Sequence, residues 1–278
     1  MLENVVVLGQ GYVGLPLAMA AVASGHRVVG IDTDLRRVAA IQRCDSPVED
    51  VQSETLQTAF DSGRYSISAD YSRVNGVAYA IITVPTPLKH GDPDLTFIES
   101  AGTALAPFLI EGSCVILEST TYPGTTEELL VPILERGSRL RAGSDFHVGY
   151  SPERIDPGNS EWNLINTPKI VSGVDSESLH AVEAFYSGLG VPTVPVSSTR
   201  VGELTKLIEN TFRHVNIALI NELAIFSAAL GANIWEATDA AATKPHGYMK
   251  FTPGPGVGGH CLPIDPSYLS WAVKAKTG

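Results

Sequence analysis

The sequence predicts an α/β chain: a doubly wound sheet of mainly parallel strands, followed by a smaller all-helical domain built on one long helix. Three observations carry that reading. Short β-branched runs alternate with helical stretches over roughly the first two hundred residues, the pattern of βαβ units. A glycine-rich turn, Gly9-Gln10-Gly11-Tyr12-Val13-Gly14, directly follows the first such run. From 201 to about 230 apolar residues recur at helical spacing with little glycine and no proline. The expected domains are 1–197 for the sheet and 198–278 for the helices.

Val5-Val6-Val7-Leu8 suits a strand buried on both faces, and the glycine turn opens a helix over 15–23 that ends at Gly25. A second strand, 27–31, delivers Asp32. Strand, GxGxxG, helix and an acid about 20 residues on form the full dinucleotide fingerprint, so the sheet is Rossmann-like. Gly9 makes the tight turn, Gly11 admits the pyrophosphate, and Gly14 lets helix and strand pack closely. Asp32 can accept from ribose hydroxyls and would repel a 2′-phosphate, which favours NAD over NADP. Arg37, one turn into the next helix, lies either over the adenosine end or in solvent.

Further strands are expected at 78–84, 113–118 and 146–150, each ending in polar residues. Late strands are expected at 169–173 and 191–196, with helices at 126–135 and 176–188. Ligands sit beyond the carboxyl ends of strands in such sheets, so Thr86, Thr120 and Glu153 should gather at one rim. Thr86 and Thr120 could equally be turn or cap residues.

In the long helix Leu204, Ile208, Val215, Leu219, Leu223 and Phe226 mark the expected buried face. Glu203, Lys206, Asn210 and Arg213 share another face, either a solvated surface or the wall of a site. A helix over 235–243 and a short one from about 267 close the chain. Between them lies Pro253-Gly254-Pro255-Gly256-Val257-Gly258-Gly259-His260-Cys261-Leu262-Pro263, a loop that holds one thiol beside close-approaching main chain. Cys261 is a nucleophile or an incidental loop cysteine.

Composition narrows the class. A net charge of −11 argues against a nucleic-acid surface. Three scattered cysteines, Cys44, Cys114 and Cys261, suit neither a disulfide framework nor a zinc site and fit a reducing cytoplasm. No apolar run is long enough to span a bilayer, and no metal is expected.

Six motifs, spread from about residue 5 to 271 in one order, resemble the NAD-dependent nucleotide-sugar 6-dehydrogenases, whose best-known member oxidises UDP-glucose. They are Gly9-x-Gly11-Tyr12-Val13-Gly14-Leu15-Pro16, Val84-Pro85-Thr86-Pro87, Glu118-Ser119-Thr120, Ser151-Pro152-Glu153-Arg154, Glu203-x-x-Lys206-x-x-Glu209-Asn210 and Gly256-Val257-Gly258-Gly259-His260-Cys261-Leu262-Pro263-x-Asp265-Pro266. The resemblance implies oxidation of a sugar C6 hydroxymethyl to a carboxylate in two steps, with two NAD. Lys206, directly or through a water, would take the hydroxyl proton, and Asn210 would hold the oxyanion. Cys261 would carry a thiohemiacetal and then a thioester. Glu153 and Thr120 would position the hydrolytic water, and Asp265 would support Lys206 and Asn210. Tyr12, Val13, Asp32, Arg37, Val84, Thr86 and Thr120 would contact NAD. Glu153, Arg154, Ile155, Lys206, Asn210, Arg213 and Gly258 would contact the sugar nucleotide. The long helix would form a homodimer.

Two features depart from the UDP-glucose enzymes. Arg154-Ile155-Asp156-Pro157-Gly158 replaces the usual Phe-Leu and second glutamate, and resembles the branch acting on UDP-N-acetylhexosamines, UDP-N-acetylglucosamine above all. The family's third, C-terminal domain is expected to be missing, since the chain stops at Gly278. Two other readings stay open: a two-electron β-hydroxyacid dehydrogenase, which needs no thiol, and a silent NAD-binding or dimerisation fragment.

Overall fold

The computed structural model describes residues 3–155, 161–258 and 264–277. It divides into two compact units, Met1–Pro87 with Asp94–Lys206, and Leu88–Pro93 with Leu207–Gly278.

The first unit opens with β1 (Asn4–Leu8), α1 (Gly14–Ala23), β2 (Arg27–Ile31), α2 (Leu35–Gln42), α3 (Ser53–Asp61), β3 (Tyr65–Ser68) and β4 (Tyr79–Ile82). A hairpin, β5 (Leu88–Lys89) and β6 (Asp92–Pro93), belongs to the second unit. The first unit resumes with α4 (Thr96–Leu105), β7 (Cys114–Leu117), a π-helical turn (Thr126–Leu130), α5 (Val131–Ser138), β8 (His147–Tyr150), β9 (Lys169–Gly173), α6 (Ser176–Gly188) and β10 (Thr193–Pro195). α7 (Thr199–Ala229) starts in the first unit and continues into the second, where α8 (Ile234–Ala242) and α9 (Asp265–Thr277) follow.

The sheet runs β10-β9-β8-β7-β4-β1-β2-β3. Central strands are apolar on both faces because helices cover both. Val5, Val7, Ile81, Ile116 and Val171 join Leu15, Leu17, Ala18, Val182 and Phe185 in one core. All strand pairs of this sheet are parallel except β8 with β9, where Tyr150 faces Ser172 and Gly149 faces Gly173. This reversal puts the start of β9, Lys169, at the rim where β7 and β8 end. In the second unit β6 packs against α9.

Several expectations need correction. α3, β3, α4 and the hairpin were not legible as elements. The expected helix over 126–135 begins as a π turn, because Pro132 has no N–H to donate one turn back. α9 begins at Asp265 rather than near 267, with Pro266 accommodated in its first turn. The larger correction concerns α7. Leu204, Ile208, Val215, Leu219, Leu223 and Phe226, expected to be buried, are exposed, whereas Glu203 and Asn210 of the polar stripe are buried with Leu207 and Ile220. The polar groups find partners inside their own units, and the apolar face is left for solvent or another chain. Among the described residues no helix is long and apolar enough to cross a membrane.

Candidate active site

The glycine turn is built as a phosphate cradle. Gly9 has φ +91°, and a Cβ there would lie 2.9 Å from the Thr83 carbonyl oxygen. A Cβ on Gly14 would lie 1.9 Å from the Gly9 carbonyl oxygen, so strand and helix meet at a distance only glycine permits. A Cβ on Gly11 would meet nothing within 4 Å, which leaves open space where a pyrophosphate would approach. Thr83, at the end of β4, fixes the turn by donating to the Leu8 and Gly9 carbonyls at 2.9 Å each. The N-cap of α1, Val13, makes no side-chain cap hydrogen bond, whereas Asp34, Asp175 and Asn233 cap α2, α6 and α8. Leu15 N donates to the Gly11 carbonyl at 3.1 Å, and the positive end of the helix dipole at this turn favours an anion such as phosphate. Tyr12 stands exposed beside it.

Asp32 is buried at the tip of β2. Its Oδ2 accepts from Gln10 N and Arg37 Nη1, both at 2.8 Å, and its Oδ1 from Asp34 N at 2.9 Å. One acceptor position remains on Oδ1, which suits a ribose hydroxyl. Arg37 is thus tied to Asp32 rather than loose in solvent. The residues present fit NAD: an open glycine cradle, an uncapped helix start and an acid at the second strand.

A second cluster forms where β7 and β8 end and β9 begins. Glu153 Oε1 accepts the main-chain N–H groups of Arg154 and Ile155 at 2.6 Å each. Its Oε2 lies 3.2 Å from the Lys169 ammonium, which also lies 3.1 Å from Glu118 Oε1. Tyr186 donates its hydroxyl to Glu118 and offers its ring to Lys169, 5.1 Å from the ammonium. Lys206, from α7, donates to the Glu153 carbonyl oxygen at 2.5 Å. Burial pushes the Glu118 carboxyl up, against the pull of Lys169. Burial works to lower Lys169, but Glu118 and Glu153 more than offset it and hold the ammonium above its ordinary value. Tyr186 is raised well above its ordinary value, by burial first and then by Glu118.

Glu118 and Lys169 were not read as site residues from the sequence. The usable signal was an ionisable residue opening an apolar strand, but the antiparallel turn of β9 that brings Lys169 to the rim was not visible. Thr120 follows β7 and is partly buried, and its neighbour Ser119 donates to the Val84 carbonyl at 2.7 Å. Thr86 is partly buried beyond β4.

The remaining stripe residues are held firmly. Glu203 accepts from Gly124 N at 2.6 Å and Thr126 N at 2.9 Å. In the second unit, Asn210 Nδ2 donates to Asp265 Oδ2 at 2.5 Å, both buried. Arg213 is exposed on α7, and Gly258 has φ +65°. Arg154 donates to the Pro168 carbonyl. Ile155 lines a hollow of about 490 Å³ with Pro16, Ala20, Trp162 and Leu164. Cys261 lies outside the described residues.

Residues 3–189 match the NAD binding domain of the UDP-glucose/GDP-mannose dehydrogenase family, and 200–277 match its central domain. A UDP-N-acetyl-D-glucosamine 6-dehydrogenase from Pseudomonas aeruginosa is 42% identical, over 98% of this chain and 64% of its own length. A UDP-N-acetyl-D-mannosamine dehydrogenase from Pyrococcus horikoshii is 38% identical, over 99% of this chain and 66% of its own. A solved structure of a UDP-D-ManNAc dehydrogenase from Pyrococcus horikoshii superposes with TM-score 0.90 at 36% identity, covering 99% of this chain and 65% of that one. The chain therefore spans a little under two thirds of the length of these relatives. With two family domains matched in order, the chain belongs to the UDP-glucose/GDP-mannose dehydrogenase family.

Proposed function

We propose that this protein oxidises the C6 hydroxymethyl of a UDP-N-acetylhexosamine to the uronic acid, with NAD as oxidant. The observation that carries this reading is the contact between Lys206 and Glu153, read from separate motifs 53 residues apart and joined at 2.5 Å. The names of the relatives support the substrate class.

Gly9, Gly11, Gly14 and the start of α1 would hold the pyrophosphate, and Asp32 the adenosine ribose. Tyr12, Val13, Arg37, Val84, Thr86 and Thr120 complete the cofactor's surroundings. NAD, when bound there, would supply the hydride acceptor for both oxidations. Lys206 takes the proton of the C6 hydroxyl, directly or through a water. Asn210, oriented by Asp265, donates to the developing oxyanion. Cys261 adds to the aldehyde and keeps it from leaving. Glu153 and Thr120 position the water that hydrolyses the resulting thioester. Arg154, Ile155, Arg213 and Gly258 hold the sugar nucleotide. The working form is a cytoplasmic homodimer joined through the exposed apolar face of α7, and the domains divide near 197.

The test is NADH release against a panel of UDP-sugars. The expected result is two NADH for each UDP-N-acetylhexosamine consumed, with Cys261→Ser blocking acid formation. One NADH with a released carbonyl product would instead identify a two-electron dehydrogenase. NAD binding without turnover on any UDP-sugar would identify a binding or dimerisation module.

A further inference from the structure

We propose that Lys169 is a positioning residue for the hydrolytic half of the reaction: its buried ammonium, clamped between Glu118 and Glu153, fixes the Glu153 carboxylate with one lone pair turned to water. This inference rests on the reading of Glu153 given above.

A lysine only 3% exposed at its side chain needs counter-charge and hydrogen-bond partners around it. Glu118, fully buried, supplies the counter-charge at 3.1 Å. For burial alone that pair suffices. Yet the ammonium sits almost midway, 3.2 Å from a second carboxylate, Glu153, which is 14% exposed at its side chain. Two carboxylates therefore share one ammonium, and Glu153 is the more exposed of the two.

The bonding of Glu153 is equally asymmetric. A carboxylate has about four acceptor positions. Oε1 uses two on Arg154 N and Ile155 N, and Oε2 uses one on Lys169. One position on Oε2 remains, and the other three bonds determine its direction. The remaining groups facing Lys169 are Tyr186, whose ring covers it, and the Pro152 carbonyl at 3.5 Å. Lys206 grips the main chain of the same glutamate at 2.5 Å. So the main chain and both carboxylate oxygens of Glu153 are all anchored.

In thioester hydrolysis the water oxygen bonds to the acyl carbon and gives a proton to Glu153. The carbon–sulfur bond then breaks, and the Cys261 thiolate leaves. No redox change occurs in this step. A carboxylate that swings freely would lose the orientation this transfer needs.

Lys169→Met removes the charge and keeps an unbranched chain one atom shorter. Because it strands Glu118 in the interior, the double variant Glu118→Gln/Lys169→Met is made alongside it, with no buried charge left unpaired. Two readouts are taken. The first, independent of turnover, is the pair of amide proton resonances of Arg154 and Ile155, expected to move upfield in both variants and to return in Lys169→Arg. The second is mass spectrometry of enzyme quenched during turnover of UDP-N-acetylglucosamine. An adduct on Cys261 should accumulate, with hydrolysis slowed about 10²-fold, the lower end for a displaced general base, and Lys169→Arg should recover most of that loss. Unmoved amides in a folded double variant, or hydrolysis at the wild-type rate, overturns the proposal. If the wild-type protein oxidises no UDP-sugar, the functional reading fails, and the amide resonances still decide whether Lys169 orients Glu153.

Discussion

Glu203 Oε2 accepts the main-chain N–H of Gly124 at 2.6 Å, while its Oε1 accepts the N–H and hydroxyl of Thr126 at 2.9 and 2.7 Å. One carboxylate near the start of α7 thereby ties down the loop that carries Thr120. Burial pushes this carboxyl up to about 7, while the Gly124 and Thr126 amides pull it down. The protonated form is therefore favoured in the folded state. Its contribution to stability is whole below the ordinary value of 4.5 and is lost as pH rises to about 7. The size is about 3 kcal/mol across that window. Urea unfolding at pH 5 and pH 7.5 should show the loss, and Glu203→Gln, which is neutral throughout, should flatten it. An unchanged slope in that variant would assign the pH dependence to other groups.

The glycine turn separates folding from binding. A methyl group at Gly14 would lie 1.9 Å from the Gly9 carbonyl and 2.4 Å from Thr83 Oγ1, whereas one at Gly11 would meet nothing within 4 Å. Gly14→Ala should cost about 1–3 kcal/mol of stability through overpacking. Gly11→Ala should leave stability within about 0.5 kcal/mol yet weaken NADH binding tenfold or more. Urea midpoints and NADH fluorescence titrations measure the two effects. Wild-type NADH affinity in Gly11→Ala would mean the pyrophosphate does not cross this turn.

How much of this was legible in the sequence depended on whether the signal was local. The turn 9–14, its strand and its helix are set by neighbouring residues, and they stand where periodicity put them. Lys169 is the opposite case. Its place beside Glu118 and Glu153 comes from the antiparallel pairing of β9 with β8, a choice no residue near 169 declares. α7 misled for a similar reason. Periodicity shows that a helix has two faces, but not which is covered. Here Glu203 and Asn210 go inward because Gly124, Thr126 and Asp265 await them.

Asp265 opens α9 and accepts from Asn210 at 2.5 Å. Asp265→Ala would leave a buried amide N–H without this acceptor, a cost of about 1–3 kcal/mol. Under the proposed mechanism it would also let the Asn210 donor drift, so the first oxidation should slow about 10²-fold. NADH affinity should stay as it was, because neither residue is assigned to the cofactor. Stopped-flow NADH formation beside NADH titration checks this. Equal losses in both readouts would mean that Asp265 holds the fold rather than the oxyanion donor.

Along α7, Ile208, Phe212, Val215, Leu219, Leu223 and Phe226 recur at steps of four, three, four, four and three residues, and all are more than a third exposed. A seam at that spacing presents knobs for an opposing helix. Leaving such a stripe in water is costly, since each fully covered side chain of this size contributes about 1.5–3 kcal/mol. The occupant proposed above is the same helix of a second copy, which would cover both stripes at once. Leu219→Lys and Phe226→Glu, made together, put charges on positions 52% and 56% exposed. Neither belongs to the buried core of its own chain, so helix content by circular dichroism should be kept. Sedimentation should then shift from dimer to monomer. A variant that stays dimeric would move the interface elsewhere and leave the stripe to a different partner.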